Sequence, residues 1–260
     1  MGFSYKDWKE VFYPAEMKAH RYLSYYSRVF NAVEVDSTFY GTPKEDTVRR
    51  WAAMTPEGFR FCLKVPRQMT HEAGLVNVED ELDQFIATVR LLGDKLGVIL
   101  FQFPPSFGAD NLGLIDKLFP RLPDDLRFAV EVRHQSWYTA TDKAGIPLLA
   151  KMLEEFGVCW AATEYPGLPG RVRLTGRFVY IRWIGQHGSY MHHDHERVDR
   201  SPELESWRKQ IWGILDQVDT VYGFFNNDYA GFAAGTANRF KQLAGLPFES
   251  FEPPQQGTLF

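Results

Sequence analysis

Cysteine is scarce: only Cys62 and Cys159 occur in 260 residues, and both sit inside apolar runs, FCLKV and GVCWAA. A disulfide framework or a cysteine metal cluster needs more, so two buried thiols in a reducing compartment are the expectation. Long hydrophobic runs are missing too. No stretch approaches the run of about 18 apolar residues that spans a bilayer, and the N-terminus has no basic segment followed by an apolar one. A cytoplasmic protein with no membrane partner is expected. Nor is positive charge in excess, since 29 Lys and Arg face 33 Asp and Glu for a net charge of −4. That balance weighs against a protein that coats nucleic acid by bulk electrostatics. No glycine-rich dinucleotide fingerprint follows an apolar run, and neither a P-loop nor a Gly-x-Ser-x-Gly elbow occurs. Without repeats, low-complexity tracts or linkers, residues 1–260 read as one domain.

What is present is an alternation of short apolar runs and helical patterns. Strands are expected at 30–38, 60–66, 97–104, 128–134, 157–164, 178–184 and 220–227. Between them, 78–95 repeats Leu82, Phe85, Ile86, Val89 and Leu92 at helical spacing, with Asn77 as a cap. Residues 146–156 stop at Gly157, and 201–218 begin Ser-Pro-Glu, which suits a helix start. Weaker helical patterns fall at 15–29, 45–54, 111–119 and 236–244. Strands that are apolar on both faces and alternate with helices imply a mostly parallel sheet. Seven such strands predict an α/β fold of the TIM-type (β/α) barrel class, one strand short of eight.

The strands carry charge where a core strand should not. Glu34 and Asp36 interrupt VEVDST, and period-two alternation puts them with Thr38 on one face. Lys64, Gln102, Glu131, Arg133, Arg182 and Asn226 stand in the other strands, always toward the C-terminal end, and Asp228 closes the last run. In a barrel that end builds the ligand site. Unpaired buried charge costs several kcal/mol, so these groups need one another, water or a ligand.

The strings FYP at 12–14, VEVDSTFYGTP at 33–43, FCLKVP followed by Thr70-His71, LFQFPPSF at 100–107, EVRHQSW at 131–137 and FFNNDYAGFAAGTANRF at 224–240 resemble the YecE-like family, known as domain of unknown function 72. The resemblance covers nearly the whole chain and implies a TIM-barrel fold with no settled activity. It also implies a further strand before Gly2-Phe3-Ser4-Tyr5. With that first strand absent, two barrel edges would be uncovered, oligomerisation through them is open, and lower stability than in a longer chain is expected.

Three uses of the charged residues stay open. The first is an enzyme acting on a small anionic ligand, phosphate- or carboxylate-bearing. Glu34, Lys64 and Glu131 are then candidate catalytic groups, and Asp36, Gln102, Arg133, Arg182, Asn226 and Asp228 bind substrate, with His71 and Trp137 at the rim. The second is a nucleic-acid binder, disfavoured by the net charge, whose bases stack on His71, Trp137, Tyr40 or Trp183. Trp183 alternates away from Arg182, so packing against helices is the expectation for it. The third is a polar plug in which Glu34, Asp36 and Glu131 neutralise Lys64, Arg133 and Arg182. No cofactor or metal is expected: the His192–Glu196 run lacks zinc spacing, and nearby Lys and Arg oppose a cation at the carboxylates.

Overall fold

The computed structural model describes residues 1–248. Among the described residues eight strands run in chain order: β1 Ala32–Val35, β2 Arg60–Lys64, β3 Leu96–Gln102, β4 Phe128–Glu131, β5 Cys159–Trp160, β6 Ala162–Glu164, β7 Phe178–Trp183 and β8 Thr220–Phe225. Every pairing is parallel. β1 to β5 form one sheet in that order and β6 to β8 a second. The run expected at 157–164 is interrupted at Ala161, whose N–H donates to Val130 O (2.8 Å). One polypeptide stretch therefore serves both sheets, pairing with β4 first and β7 next.

Nine helices among the described residues connect and cover the strands: α1 Tyr22–Val29, α2 Glu45–Ala53, α3 Glu79–Val89, α4 Leu112–Leu118, α5 Ser136–Thr139, α6 Leu148–Glu155, α7 Ser201–Trp212, α8 Asn227–Ala230 and α9 Ala233–Leu243. Their ends follow local chemistry. Three acids, Glu79, Asp80 and Glu81, occupy the first turn of α3, where they complement the helix dipole. The expected cap at Asn77 does not form: its φ is 53° and Val78 takes the cap position. At α7 the capping oxygen comes from Asp199, whose Oδ1 accepts from Ser201 N (2.9 Å). None of the described helices is long and apolar enough to cross a membrane.

Side chains alternate across the strands as the apolar patterns require. One face of β3 sends Ile99 and Phe101 to the main core beneath the helices. The other sends Val98 and Leu100 to a second buried cluster with Cys62, Ala129, Cys159 and Tyr180. Both cysteines are free and buried, and burial pushes the Cys159 thiol up to about 12. At the margin of the two sheets, Gly2 N donates to Glu34 O at the end of β1 (2.8 Å), and Met1 N donates to Phe225 O at the end of β8 (2.5 Å). Residues 165–177, which lead from β6 to β7, carry no helix.

Candidate functional site at the strand C-terminal ends

The strand beginning at Ala32 is shorter than expected. It ends at Val35, and residues Asp36–Tyr40 turn into a 3-10 segment. Thr38 stabilises the exit: its hydroxyl donates to Val35 O (3.2 Å) and accepts from Lys64 N (3.0 Å). Asp36 thus leaves the strand, yet it stays beside Glu34 because both meet the same lysine.

Parallel register sets the next tier. Glu34 pairs with Cys62 across β1 and β2, Gln102 with Glu131 across β3 and β4, and Thr163 with Arg182 across β6 and β7. At the centre lies Arg182, 2% exposed. Its Nε donates to Glu34 Oε2 and its Nη2 to Glu34 Oε1, both at 2.8 Å, while its Nη1 donates to Glu131 Oε2. Tyr180, one alternation earlier on β7, donates its hydroxyl to Glu34 Oε2 (2.7 Å). Met1 Sδ lies 3.4 Å from Arg182 Nη2. A guanidinium fork matched to two carboxylates is the geometry in which a buried ion pair is best compensated.

Around this buried tier lies a partly exposed one. Lys64 Nζ sits 2.5 Å from Asp36 Oδ1 and 3.4 Å from Glu34 Oε1. Arg133 Nε donates to Glu131 Oε1 (2.7 Å), and its guanidinium lies over the Tyr165 ring at 5.0 Å. The two Nη groups of Arg133 have no hydrogen-bond partner among the described residues. His71 is half-buried, shares a hydrogen bond with Thr70 Oγ1 (2.9 Å) and stands edge-on to Phe39.

Charge and burial oppose each other here. Burial works to raise the Glu34 carboxyl, but Arg182 and then Lys64 outweigh it and hold it below the ordinary carboxylate range. Glu131 is held down in the same way, against burial, by Arg182 and Arg133. Burial, then Arg133 and Arg67, push the His71 imidazole down, which favours its neutral form. The Tyr180 hydroxyl is driven up by burial and by Glu34, so it remains a donor.

Not every expected residue joins this site. Trp137 belongs to the core and not the rim: it is 1% exposed, donates Nε1–H to Phe107 O and stacks on the Phe107 ring. Gln102 is buried and gives its amide to Phe103 O (2.7 Å). Asn226 Oδ1 caps α8 by accepting from Asp228 N, and its Nδ2 faces Met1 Sδ at 3.8 Å. Asp228 turns instead to the loop after β7, accepting from Gly188 N (3.2 Å) and lying 3.5 Å from His193 Nε2. Trp183 packs outward against Trp207 and Phe225, as alternation requires. Tyr40 is 78% exposed. Among the described residues no three His, Cys, Asp or Glu side chains are grouped so as to hold a metal ion.

Sequence reasoning missed three contributors. Tyr180 and Thr163 were readable by period two from Arg182 and from the GVCWAATE run, but an aromatic and a threonine in an apolar strand carry no charge signal. The Thr163 hydroxyl is buried and has no partner among the described residues. Met1 has no pattern to betray it.

Comparison with known proteins gives a consistent picture. A family model described as "Protein of unknown function DUF72" matches residues 1–258. The UPF0759 protein YecE of Escherichia coli K12 is 34% identical over 181 residues, 63% of this chain and 66% of that protein, so the match spans just under two thirds of the relative's length. The UPF0759 protein YunF of Bacillus subtilis 168 is 27% identical over 94% of this chain and 93% of its own. Among solved structures, a DUF72 family protein from Thermotoga maritima superposes with a TM-score of 0.77 at 28% identity, covering 94% of this chain and 96% of that one. One from Enterococcus faecalis gives a TM-score of 0.78 at 22% identity, covering 98% and 97%.

Proposed function

The chain belongs to the DUF72 family, proteins of unknown function, and from that premise we propose that it binds a small phosphate- or carboxylate-bearing ligand at the C-terminal ends of its strands. The observation that carries this reading is Arg133. Its Nε is committed to Glu131, its face to Tyr165, and the two remaining Nη groups lie at the partly exposed tier without an acceptor among the described residues. A guanidinium edge held by its other edge is preorganised for a bidentate oxyanion.

Roles divide by depth. Glu34 and Glu131 stay ionised beside Arg182, which makes them poor general acids and good orienting groups. Lys64, bridged between Asp36 and Glu34, serves as a positioning cation in preference to a nucleophile. Proton transfer falls to His71, whose imidazole is pushed toward its neutral form and whose Nε2 has no hydrogen-bond partner among the described residues. In this reading the strands form a TIM-type barrel, its margin bridged by Met1 and Gly2, and the site occupies the end where such barrels bind ligands. Support comes from the second buried cluster, to which β2, β3, β4, β5, β7 and β8 all contribute.

A purely structural plug is favoured by the carboxylates: both oxygens of Glu34 and both of Glu131 are already filled by protein donors. Ligand-induced shifts in thermal midpoint separate the two. Inorganic phosphate, pyrophosphate or citrate should stabilise the protein, and Arg133→Ala should reduce the phosphate shifts and abolish the citrate shift while folding normally. Absence of stabilisation by all three anions favours the plug. Stabilisation by oligonucleotides alone would favour nucleic acid, a reading that has lost Trp137 as a stacking surface.

A further inference from the structure

The helix-free connection after β6 carries a second concentration of positive charge. Arg171 and Arg173 lie two residues apart on it. Arg171 is exposed, and Arg173 sets its guanidinium over the Trp160 ring at 5.6 Å. Trp160 in turn leans on Tyr138, with ring centroids 5.2 Å apart at 37°. A hollow of about 10 Å³ is lined by Tyr138, Trp160, Pro169 and both arginines. That is room for one water or one ligand oxygen.

The surface arginines Arg67, Arg90, Arg121 and Arg177 each meet a carboxylate within 4.0 Å. Neither Arg171 nor Arg173 does so among the described residues. Burial and then the adjacent Arg171 push the Arg173 guanidinium down, opposed less strongly by Glu154 and Tyr138. Two like charges kept together are destabilising unless something of opposite sign answers them.

The loop cannot readily separate them. Val172 N donates to Gln210 Oε1 (3.1 Å), and Gln210 Nε2 donates to Gly170 O (3.4 Å), tying the segment to α7. Thr175 Oγ1 donates to Val158 O and accepts from Trp160 N, both at 2.7 Å. Such pinning removes ordering cost from any later binding event.

We propose that Arg171 and Arg173 form an anion subsite for the terminal phosphate of a phosphomonoester, distinct from the strand-end site. One phosphoryl oxygen seats in the hollow and the outer oxygens meet the guanidinium groups. A phosphomonoester brings two negative charges for two cations that have no carboxylate within 4.0 Å among the described residues, whereas a carboxylate brings one. Because the hollow admits a single oxygen, the phosphate enters end-on and the rest of the molecule lies outside, over the exposed Arg171.

The test uses phenyl phosphate as probe and acetate as control, by calorimetric titration of the wild type, Arg171→Ala, Arg173→Lys and Arg133→Ala. Arg171 is exposed, so its alanine variant should fold as the wild type does, which circular dichroism checks. Expected are two phosphate-binding events in the wild type: one survives in Arg133→Ala, and that same event loses at least tenfold in affinity in Arg171→Ala and less in Arg173→Lys, while the other persists in both. Two undiminished phosphate-binding events in Arg171→Ala overturn the subsite. So does equal affinity for acetate, absence of phosphate binding in the wild type, or loss of all binding in Arg133→Ala, which would assign the phosphate to the strand ends.

Discussion

Arg182 and Glu34 meet edge to edge, two parallel hydrogen bonds of 2.8 Å joining β7 to β1 inside the protein. Glu131 takes the remaining side of the same guanidinium. Removing the cation strands two buried carboxylates. Arg182→Met should therefore cost about 3–5 kcal/mol, the scale for breaking a buried pair. Urea denaturation measures it. A loss below about 1 kcal/mol would mean that Lys64 and Arg133 swing inward and replace the arginine.

Acid should unfold the protein through the same groups. The Glu34 and Glu131 carboxyls lie below their ordinary value of 4.5 when folded. Below 4.5 the unfolded chain takes up protons on these groups before the native state does, so stability is complete above that pH and falls as pH drops further. Denaturation midpoints at successive pH values, compared with those of a Glu131→Gln variant, should show a shallower acid limb in the variant.

Glu164 predicts the opposite sign. Burial raises its carboxyl despite hydrogen bonds from Trp207 Nε1 and the Tyr229 hydroxyl. A raised carboxyl destabilises the fold at neutral pH, an effect that disappears as pH falls below the ordinary 4.5. Glu164→Gln keeps an acceptor for both donors and removes the charge. It should raise the melting temperature at pH 7 and lose that advantage near pH 4, as followed by calorimetry.

Thr163 offers a cleaner packing test. Its buried hydroxyl has no partner among the described residues, and an unsatisfied group of this kind costs about 1–3 kcal/mol. Thr163→Val preserves shape and should leave stability equal or raise it by about 1 kcal/mol. A clear destabilisation would reveal a bound water or ligand group that the hydroxyl holds.

Gly185 marks the turn out of β7 toward the loop that Asp228 pins. Its φ is +72°, and a Cβ there would fall 2.3 Å from Asp228 O. Gly185→Ala should lose more than about 1 kcal/mol, with ligand-induced stabilisation reduced further than by Tyr40→Ala, which alters only an exposed ring.

Much of this was legible from residue order alone. The alternation of apolar runs with helical patterns located the parallel strands and their helices, and charge at the strand ends found Glu34, Lys64, Glu131, Arg133 and Arg182 together. Period two failed at Asp36 because the strand stops at Val35, and no local pattern announces where a 3-10 turn begins. Trp137 and Asp228 follow strand ends in the sequence, which puts both at the mouth of a barrel by expectation. Their true partners, Phe107 O at 30 residues' separation and Gly188 N at 40, are tertiary choices. The interruption at Ala161 is equally silent, since GVCWAATE reads as one uniform apolar run.

The Arg182 guanidinium is gripped along three edges and shut away from water, so rotation about its Cζ–N bonds is blocked. In a nitrogen-resolved magnetic resonance spectrum its protons should appear as separate, slowly exchanging lines while those of surface arginines merge and fade. A single side chain would thereby report whether the strands on either side of it remain assembled, with no ligand or label required.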